Sequence, residues 1–594
     1  MGQTTEGFEK SRKGKLSMKE AFELMRPSQD VIKVGVSNEK RFSLRDALWS
    51  YPENIVKVFK KSSPLSFILV FIILGFGLFT FLRGDALADV FLAKKTSVFV
   101  EGNVGAISTF NPIFVSQNVV DRDIHALVFE RFLDIGKDGT PQPSIAKEWV
   151  VAQDGKTYDF MISLDHKWQD GEKLTVEDVI FTFELAKTLS RDHGYDTIGS
   201  SLVDVKIDRI ADDKLRFTLP ESNSTFFEVV SEYILPKHIL EQIAVADIPF
   251  NSFARYPIGS GPYKVYRSEP NVVYLKASEY FWVTPKIDTI VYRLYSDYKA
   301  LEGAFRNGVL DAMGGVDSRS MSFSSEYSEY QEYEIALHSR IRMIIFNTRK
   351  EKLENKDIRI GINHLIQKSK LLEESEISGV VANGPIAESS WAYNKDISVY
   401  EYNQEKAVEH FKIAGYVKNE ASGYFESEDK KILSFTLSYY KNDFNDHLAN
   451  IFRDLLKEEG VVINLEPLSY TQLSQEIVAT RDFELLMYEI ITTVDPDQYN
   501  LWHSLKSNYP DLNLSGYSYE RVDILLEDAR RNVDKKVRTE KYILFQKYLT
   551  QDAPVIFLYH PNYKYVVKKD IKVGDLGNII FPHQRFADIA YWSK

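Results

Sequence analysis

Downstream of Thr96, apolar and polar positions fall into short runs with the pattern of strands, separated by longer segments with a helical period. SVFVEG (97–102), TYDFMISL (157–164) and TIVYRLY (289–295) are dominated by β-branched, aromatic and other apolar residues, which favours strands. TVEDVIFTFELAKTL (175–189) has acidic residues in its first turn, directly after Thr175, and predicts a helix capped by that threonine. The pattern predicts a mixed α/β protein.

Two later segments have the apolar spacing of helices together with stop signals. DHLANIFRDLLKEEG (446–460) ends at Gly460, and RTEKYILFQKYLTQDAP (538–554) is stopped by Pro554. Asp154-Gly155 and Asp170-Gly171 are typical of tight turns between strands. No internal repeat interrupts this order.

One stretch near the N-terminus has a different pattern. Leu65–Leu82 contains no charged residue, and at about 1.5 Å per residue it spans about 27 Å, close to the ~30 Å hydrocarbon core of a bilayer. Lysines precede it at 57, 60 and 61, so the positive-inside rule places the N-terminus in the cytoplasm. We therefore predict a basic cytoplasmic tail (1–63), a membrane anchor (64–83) and a linker (84–96).

A cleaved signal peptide is the alternative for this region. Ala86-Leu87-Ala88 fits the small-x-small rule for cleavage, which would release the mature chain at Asp89. The apolar stretch and the basic segment before it are both long for a signal peptide, whose apolar part is typically ~7–15 residues. An uncleaved anchor, with the rest of the chain extracellular or periplasmic, is the favoured interpretation.

Composition and charge narrow the possible functions. The 594 residues carry a net charge of −12, but residues 1–63 hold 13 Lys and Arg against 8 Asp and Glu, so the main body is more acidic than the total and does not suit nucleic acid. Cysteine is absent, which excludes disulfides, thiolate metal sites and a cysteine nucleophile. No metalloprotease, serine-hydrolase or phosphate-loop motif occurs, so we predict no catalytic residue, metal or cofactor.

Asp495-Pro496-Asp497 follows an apolar run, and two interpretations of this stretch are open. The two aspartates could act as an acid/base pair, but no partner or metal ligand lies nearby in the sequence. Alternatively, Pro496 fixes the backbone and the aspartates cap N–H groups, which makes the stretch a turn from a strand into a helix at 499–505. Such turns line ligand pockets in α/β proteins, so a pocket corner is favoured.

At this point the chain resembles a known family, the extracellular solute-binding proteins of family 5, which are oligopeptide and dipeptide receptors of ABC importers. The resemblance covers roughly residues 97–570. It is carried by EGNVGAISTFNPIF (101–114), KWQDGEKLTVEDVIFTFE (167–184), YPIGSGPYKV (256–265), GAFRNGVLDAM (303–313), VDPDQYNLWHS (494–504) and NLSGYSYERVDILLEDAR (513–530), in the family's order.

The resemblance implies the two-lobed, type II fold of periplasmic binding proteins, in its large three-subdomain, peptide-binding form. Lobe one would comprise about 97–345 and 554–594, and lobe two about 346–553. A peptide would lie extended between the lobes, which close on it. The implied partners are a peptide or similar small solute and the permease and ATPase subunits of an importer, with the receptor itself monomeric.

The resemblance also implies ligand-binding positions. The ligand backbone would meet Ser108, Thr109 and Asn111 in lobe one and the strand ahead of Asp495 in lobe two, at Tyr488, Ile490 and Thr492. Peptide receptors of the family commonly carry an aspartate at the position of Thr492, where it pairs with the peptide's ammonium group. A hydroxyl is a weak substitute for that carboxylate, so recognition of a free peptide N-terminus is not expected.

Two aromatic residues, Trp391 and Tyr517, are candidates for pocket walls, and ordinary core packing is the alternative for both. Two other functions stay open. The chain could be a sensor or surface scaffold built on the same binding fold, or an anchored hydrolase, for which no nucleophile–base set is visible.

Overall fold

The computed structural model describes residues 97–115, 118–136, 139–315, 328–577 and 579–594. Its strands are β1 Val98–Val104, β2 Asp134–Ile135, β3 Pro141–Gln142, β4 Ala146–Val151, β5 Thr157–Ile162, β6 Lys206–Ala211, β7 Lys214–Thr218, β8 Tyr263–Glu269, β9 Val272–Ala277, β10 Thr289–Tyr295, β11 Ala312–Gly315, β12 Tyr330–Ala336, β13 Arg340–Phe346, β14 Gly379–Val381, β15 Tyr416–Lys418, β16 Phe425–Ser427, β17 Ser434–Tyr440, β18 Val462–Leu468, β19 Leu485–Ile491 and β20 Val555–Lys568.

The α-helices are α1 Val119–Val128, α2 Val176–His193, α3 Phe226–Val230, α4 Lys237–Leu240, α5 Tyr298–Arg306, α6 Glu351–Glu354, α7 Lys356–Leu365, α8 Lys368–Glu374, α9 Gln404–Ile413, α10 Asp443–Glu459, α11 Tyr470–Gln472, α12 Tyr499–Trp502, α13 Glu520–Arg531 and α14 Lys535–Asp552. A π-helical turn, Leu473–Val478, follows α11 directly.

A mixed twelve-stranded sheet organises the fold. Its order is β18-β17-β19-β13-β20-β11-β1-β10-β9-β8, with β12 and β14 also paired to β20. The first half of β20 pairs with β13 and β14, and its second half pairs with β11 and β12. This one strand therefore links the two halves of the sheet, and a four-stranded sheet in the order β4-β5-β7-β6 stands apart from it.

The apolar core is divided in the same way. One cluster surrounds β1 and β10, another fills the four-stranded sheet, and two clusters cover the opposite faces of β13 and β19. The two-lobe division stays a prediction. The predicted bounds place nearly all of β13 and the first half of β20 in lobe one. Both strands nevertheless pair and pack with residues of predicted lobe two.

A buried ionic network ties the C-terminal segment to β1 and α1. The guanidinium group of Arg585 donates to Glu101 Oε1 at 2.7 Å and to Asp123 Oδ1 at 2.8 Å, and all three side chains are fully buried. The hydroxyl of Tyr565 donates to the second oxygen of Glu101. Because each charge has a partner, the network fixes the segment without leaving a bare buried ion.

The local predictions from the sequence pattern are confirmed. Thr175 and Asp178 form a capping box at the start of α2, and α10 ends at Gly460 in the left-handed conformation, with φ of +99°. Gly155 and Gly171 also have positive φ, as tight turns require.

The predicted anchor Leu65–Leu82 and the segments 1–63 and 84–96 lie outside the described residues. Within the described ranges, no helix combines the length and apolar character that a bilayer crossing needs.

Candidate ligand-binding site

A cavity of about 440 Å³ lies beside the carboxyl ends of three neighbouring strands, β17, β18 and β19. These strands run parallel to one another, so the loops and helices that follow them converge at one edge of the sheet. The lining residues are Tyr298, Arg340, Arg342, Ile377, Ser378, Tyr440, Asn442, Phe444, Asn445, Tyr470, Leu473, Ser474, Val478, Met487, Tyr488, Glu489, Tyr559 and Pro561. Tyr298 comes from predicted lobe one, while most of the others come from the sheet and helices of predicted lobe two.

Strand β19 presents a backbone edge to this cavity. It pairs with β17 only at Leu437↔Leu485 and Ser438↔Leu486, whereas on its other side β13 pairs along its whole length. Among the described strands, none therefore covers the β17 side of Met487–Ile491. An extended chain placed there could hydrogen-bond to the edge as an added strand.

Three charged residues of the described part of the chain line the cavity, two basic and one acidic. Glu489 lies between the arginines, with its Oε1 at 3.1 Å from Arg340 Nη1 and its Oε2 at 3.3 Å from Arg342 Nη2. The side chains are only 13%, 14% and 21% exposed for Arg340, Arg342 and Glu489. The lining therefore carries one uncompensated positive charge that is largely shielded from water, where electrostatic attraction is stronger than at a surface.

Arg342 is held in place by several neighbours. Its Nη1 donates to Asn445 Oδ1 at 3.3 Å, and its guanidinium group lies 5.7 Å from the ring centre of Phe444. Its Nε is buried and has no hydrogen-bond partner. Burial alone would lower the pKa of Arg342, but the Glu489 carboxylate raises it, so the group stays charged. The fixed cation suits a carboxylate or another small anion.

The Asp495-Pro496-Asp497 stretch is a corner held by two ion pairs. Asp495 Oδ1 accepts from Arg538 Nη2 at 2.5 Å and from the N–H of Asp497 at 2.9 Å, and Asp497 Oδ2 accepts from Arg530. Since each carboxylate faces its own arginine, the pair is not arranged to share a proton as an acid/base couple.

The predicted lobe-one positions form an ordered loop after β1. The N–H of Ser108 donates to Asp121, the hydroxyl of Thr109 accepts from the N–H of Asn111, and Asn111 is fully buried. Ser108 is exposed, while the side-chain amide of Asn111 has a buried nitrogen without a partner. None of the three lines the cavity, so their part in ligand binding stays a prediction.

The predicted positions Tyr488 and Ile490 lie on the same face of β19. Both pack against the core cluster that contains Met343, and Tyr488 also lines the cavity whereas Ile490 does not. At the end of the strand, the N–H of Thr492 donates to the carbonyl oxygen of Ser339 at 2.7 Å, and its hydroxyl donates to the same oxygen at 3.3 Å. The hydroxyl of Thr492 is therefore already engaged within the protein.

The two aromatic candidates have different surroundings. Trp391 is half-buried, with its ring 5.3 Å from the guanidinium of Arg538, and Gly139 of predicted lobe one lies against it. Tyr517 is 5% exposed and its hydroxyl donates to Asp552 Oδ2 at 2.8 Å. Tyr517 is thus a core residue, which agrees with the alternative of ordinary core packing. Neither Trp391 nor Tyr517 lines the cavity.

Sequence reasoning did not single out Arg340, Arg342 or Glu489. A signal was present, because SRIRMIIF (339–346) places two arginines on one face of an otherwise apolar strand. The described residues contain no group of three or more metal-ligating side chains that could hold an ion.

A family model described as bacterial extracellular solute-binding proteins, family 5 Middle, matches residues 140–511. The oligopeptide-binding protein AppA of Bacillus subtilis is 27% identical over 494 residues, which cover 80% of this chain and 90% of AppA. A dipeptide-binding protein of Escherichia coli is 23% identical over 508 residues, covering 80% of this chain and 91% of that protein.

Solved structures show the same fold. The Bacillus subtilis AppA structure with a nonapeptide superposes with a TM-score of 0.68 at 24% identity, covering 84% of this chain and 99% of AppA. NikZ of Campylobacter jejuni, solved with Ni(L-His), gives a TM-score of 0.69 at 25% identity, with the same two coverages.

These comparisons confirm the resemblance drawn from the sequence motifs, and the mixed α/β fold is that of the type II periplasmic binding proteins. The family consists of binding proteins rather than enzymes. The chain belongs to family 5 of the bacterial extracellular solute-binding proteins.

Proposed function

We propose that this solute-binding protein captures peptides or similar small solutes between two lobes and delivers them to the permease of an ABC importer. The observation that carries the peptide assignment is the backbone edge of Met487–Ile491 beside a cavity of about 440 Å³. An extended peptide gains main-chain hydrogen bonds at such an edge with little dependence on its side chains. The names of relatives, an oligopeptide-binding and a dipeptide-binding protein, agree with this class of ligand.

The charges in the cavity suggest how the ligand is oriented. We expect its carboxylate, terminal or in a side chain, to bind near Arg342, where the lining has an excess positive charge. The far end of the strand offers no matching carboxylate at Thr492, whose hydroxyl is bonded to Ser339. The ligand is thus held by its backbone and its anionic group rather than by a free ammonium group.

A thermal-shift screen with peptides of two to nine residues and their C-terminal amides tests this proposal. A ligand at about 100 times its Kd stabilises the folded state by about 2.7 kcal/mol, which gives a clear shift of the melting temperature. We expect hits among peptides with a free carboxylate and weaker shifts with their amides. A complete absence of hits, or a preference for the amides, would contradict the proposed ligand class.

The second part of the proposal is a permanent membrane anchor at Leu65–Leu82, with residues 1–63 in the cytoplasm and the binding domain outside. It is supported by the length of the uncharged stretch and the lysines before it. N-terminal sequencing of the protein extracted from membranes is expected to find the start of the tail. A mature start at Asp89 would show instead that the stretch is a cleaved signal peptide.

Two alternatives have distinct outcomes in the same experiments. A sensor or surface scaffold would bind ligand as well, but its gene would lie apart from genes for permease and ATPase subunits. An anchored hydrolase would convert peptides into fragments, which mass spectrometry of the incubated peptide pool would detect.

A further inference from the structure

The two predicted lobes also meet away from the cavity, where α3 contacts the corner at residues 493–497. The N–H of Asp495 donates to Glu228 Oε1 at 2.5 Å, although the two residues are 267 positions apart in the sequence. Beside this bond, the N–H of Ser224 donates to the carbonyl oxygen of Arg530 at 2.8 Å. If the lobes separate to take up ligand, as the proposed function requires, these bonds must break.

Glu228 is unusual among the charged groups at this contact. On the corner, the carboxylates of Asp495 and Asp497 face it, and each is already paired, with Arg538 of α14 and Arg530 of α13 respectively. Helix α3 carries no other charged residue. The two arginines are therefore neutralised by the corner itself. Among the described residues no cation pairs with Glu228, so an ionised Glu228 adds a third negative charge.

The surroundings favour the neutral form of this carboxyl group. Burial, followed by the nearby carboxylate of Asp495, raises the pKa of Glu228 to about 7. The N–H of Asp495 and the side chain of Thr493 act in the opposite direction but do not cancel the rise. Once the lobes part, the side chain returns to water, where a glutamate has a pKa of about 4.3.

The direction of the pH effect follows from these two values. Because the pKa is higher in the contact than in water, closing takes up a proton between about pH 4.3 and pH 7. Below the lower value the carboxyl is neutral in both states and closure has no electrostatic penalty. As the pH rises from about 4.3 to 7 the contact weakens progressively, and above 7 closure buries the ionised carboxylate at a penalty that no longer changes with pH.

We propose that Glu228 is a proton-sensitive latch between α3 and the corner at residues 493–497. With a proton from solvent, its carbonyl oxygen accepts the N–H of Asp495 and its hydroxyl donates to the side chain of Thr493, which holds the lobes together. Without the proton, repulsion from Asp495 and Asp497 loosens the contact. Ligand retention by the receptor is therefore stronger in acid than in mildly alkaline surroundings.

Because the chain contains no cysteine, spin labels attach only to cysteines that are introduced. The distance between the predicted lobes can then be measured without a ligand. Val150 on β4 and Ile524 on α13 are 69% and 51% exposed and lie in different predicted lobes, so V150C and I524C can carry a pair of spin labels. Pulsed electron paramagnetic resonance on the full chain then gives the fractions of short and long distances at pH 5.5 and pH 8. We expect the ratio of long to short distances to rise about thirtyfold over this range.

Three variants in the labelled background isolate the latch. Glu228→Gln keeps the shape of the protonated form, so the short distance should persist at both pH values. Glu228→Ala removes the contact and should favour the long distance at both. Glu148→Gln, an exposed residue of the four-stranded sheet, should behave as the parent.

The proposal stands if Glu228→Gln removes more than half of the pH-dependent change. It is overturned if that variant keeps half or more of the change, or if the parent shows none. Because no ligand is present, this outcome does not depend on the peptide screen, and a failure of the latch can be told apart from a failure of the binding function.

Discussion

Arg585→Leu is expected to lower the free energy of unfolding by about 3–5 kcal/mol, because it leaves two buried carboxylates without their cation. Glu101 and Asp123 are both fully buried and both bind the guanidinium group of Arg585. The loss should shrink as the pH falls toward 5, since the uncompensated carboxylates can then bind protons. Denaturant unfolding of the full chain at pH 5 and pH 8 measures both effects.

Arg191→Leu is the matched control for this experiment. Arg191 forms an ion pair with Asp192 at 2.7 Å, but its side chain is 55% exposed, so little change in stability is expected. Equal effects of the two substitutions would show that the buried network does not hold the C-terminal segment to β1 and α1.

Arg342→Met should weaken binding of a carboxylate-bearing peptide by about 100-fold. Truncating one member of a buried, hydrogen-bonded charge pair costs roughly 2–5 kcal/mol, and about 2.7 kcal/mol corresponds to 100-fold. The remaining arginine, Arg340, still pairs with Glu489, so the cavity becomes neutral rather than strongly acidic. Calorimetry with a peptide from the screen and with its C-terminal amide provides the measurement.

The amide and a second variant serve as controls. The amide should lose little affinity on the substitution, because it brings no carboxylate to the cavity. Arg453→Met changes an arginine on α10 that pairs with Asp454 outside the cavity, and both ligands should bind it as they bind the parent. Equal losses for the acid and the amide would place the ligand's anionic group elsewhere.

The sequence was sufficient for features set by local periodicity and by motif order. Runs of β-branched, aromatic and other apolar residues identified β5 and β10, and a threonine followed by acidic residues identified the start of α2. The ordered motifs from 101 to 530 identified the family, which the comparisons confirm. These features depend on short stretches of chain, so one sequence contains them.

The cavity was harder to foresee because distant segments build it. Tyr298 and Pro561 line the same space although more than two hundred residues separate them. The resemblance directed attention to alternate positions of β19, Tyr488 and Ile490, while Glu489, the acidic residue of the cavity, lies between them on the other face. Which face of a strand meets the ligand depends on tertiary packing, which periodicity alone does not determine.

The contact of Glu228 with Asp495 was also hard to foresee, because segments distant in the sequence form it. The sequence indicated that the Asp-Pro-Asp stretch is a corner, but it gave no means of seeing that a glutamate 267 residues earlier would reach its backbone. The arginines that pair with the two aspartates come from α13 and α14, more than thirty residues later.

Native mass spectrometry of the full chain, purified gently from membranes, tests the central claim that this receptor holds a solute between its lobes. We expect a fraction of the protein to carry one additional small mass, which is released on denaturation, is identified as a peptide or similar carboxylate-bearing solute, and is depleted in Arg342→Met. A protein that carries no small molecule after growth in rich medium, and that gains none on incubation with a peptide pool, would contradict the account.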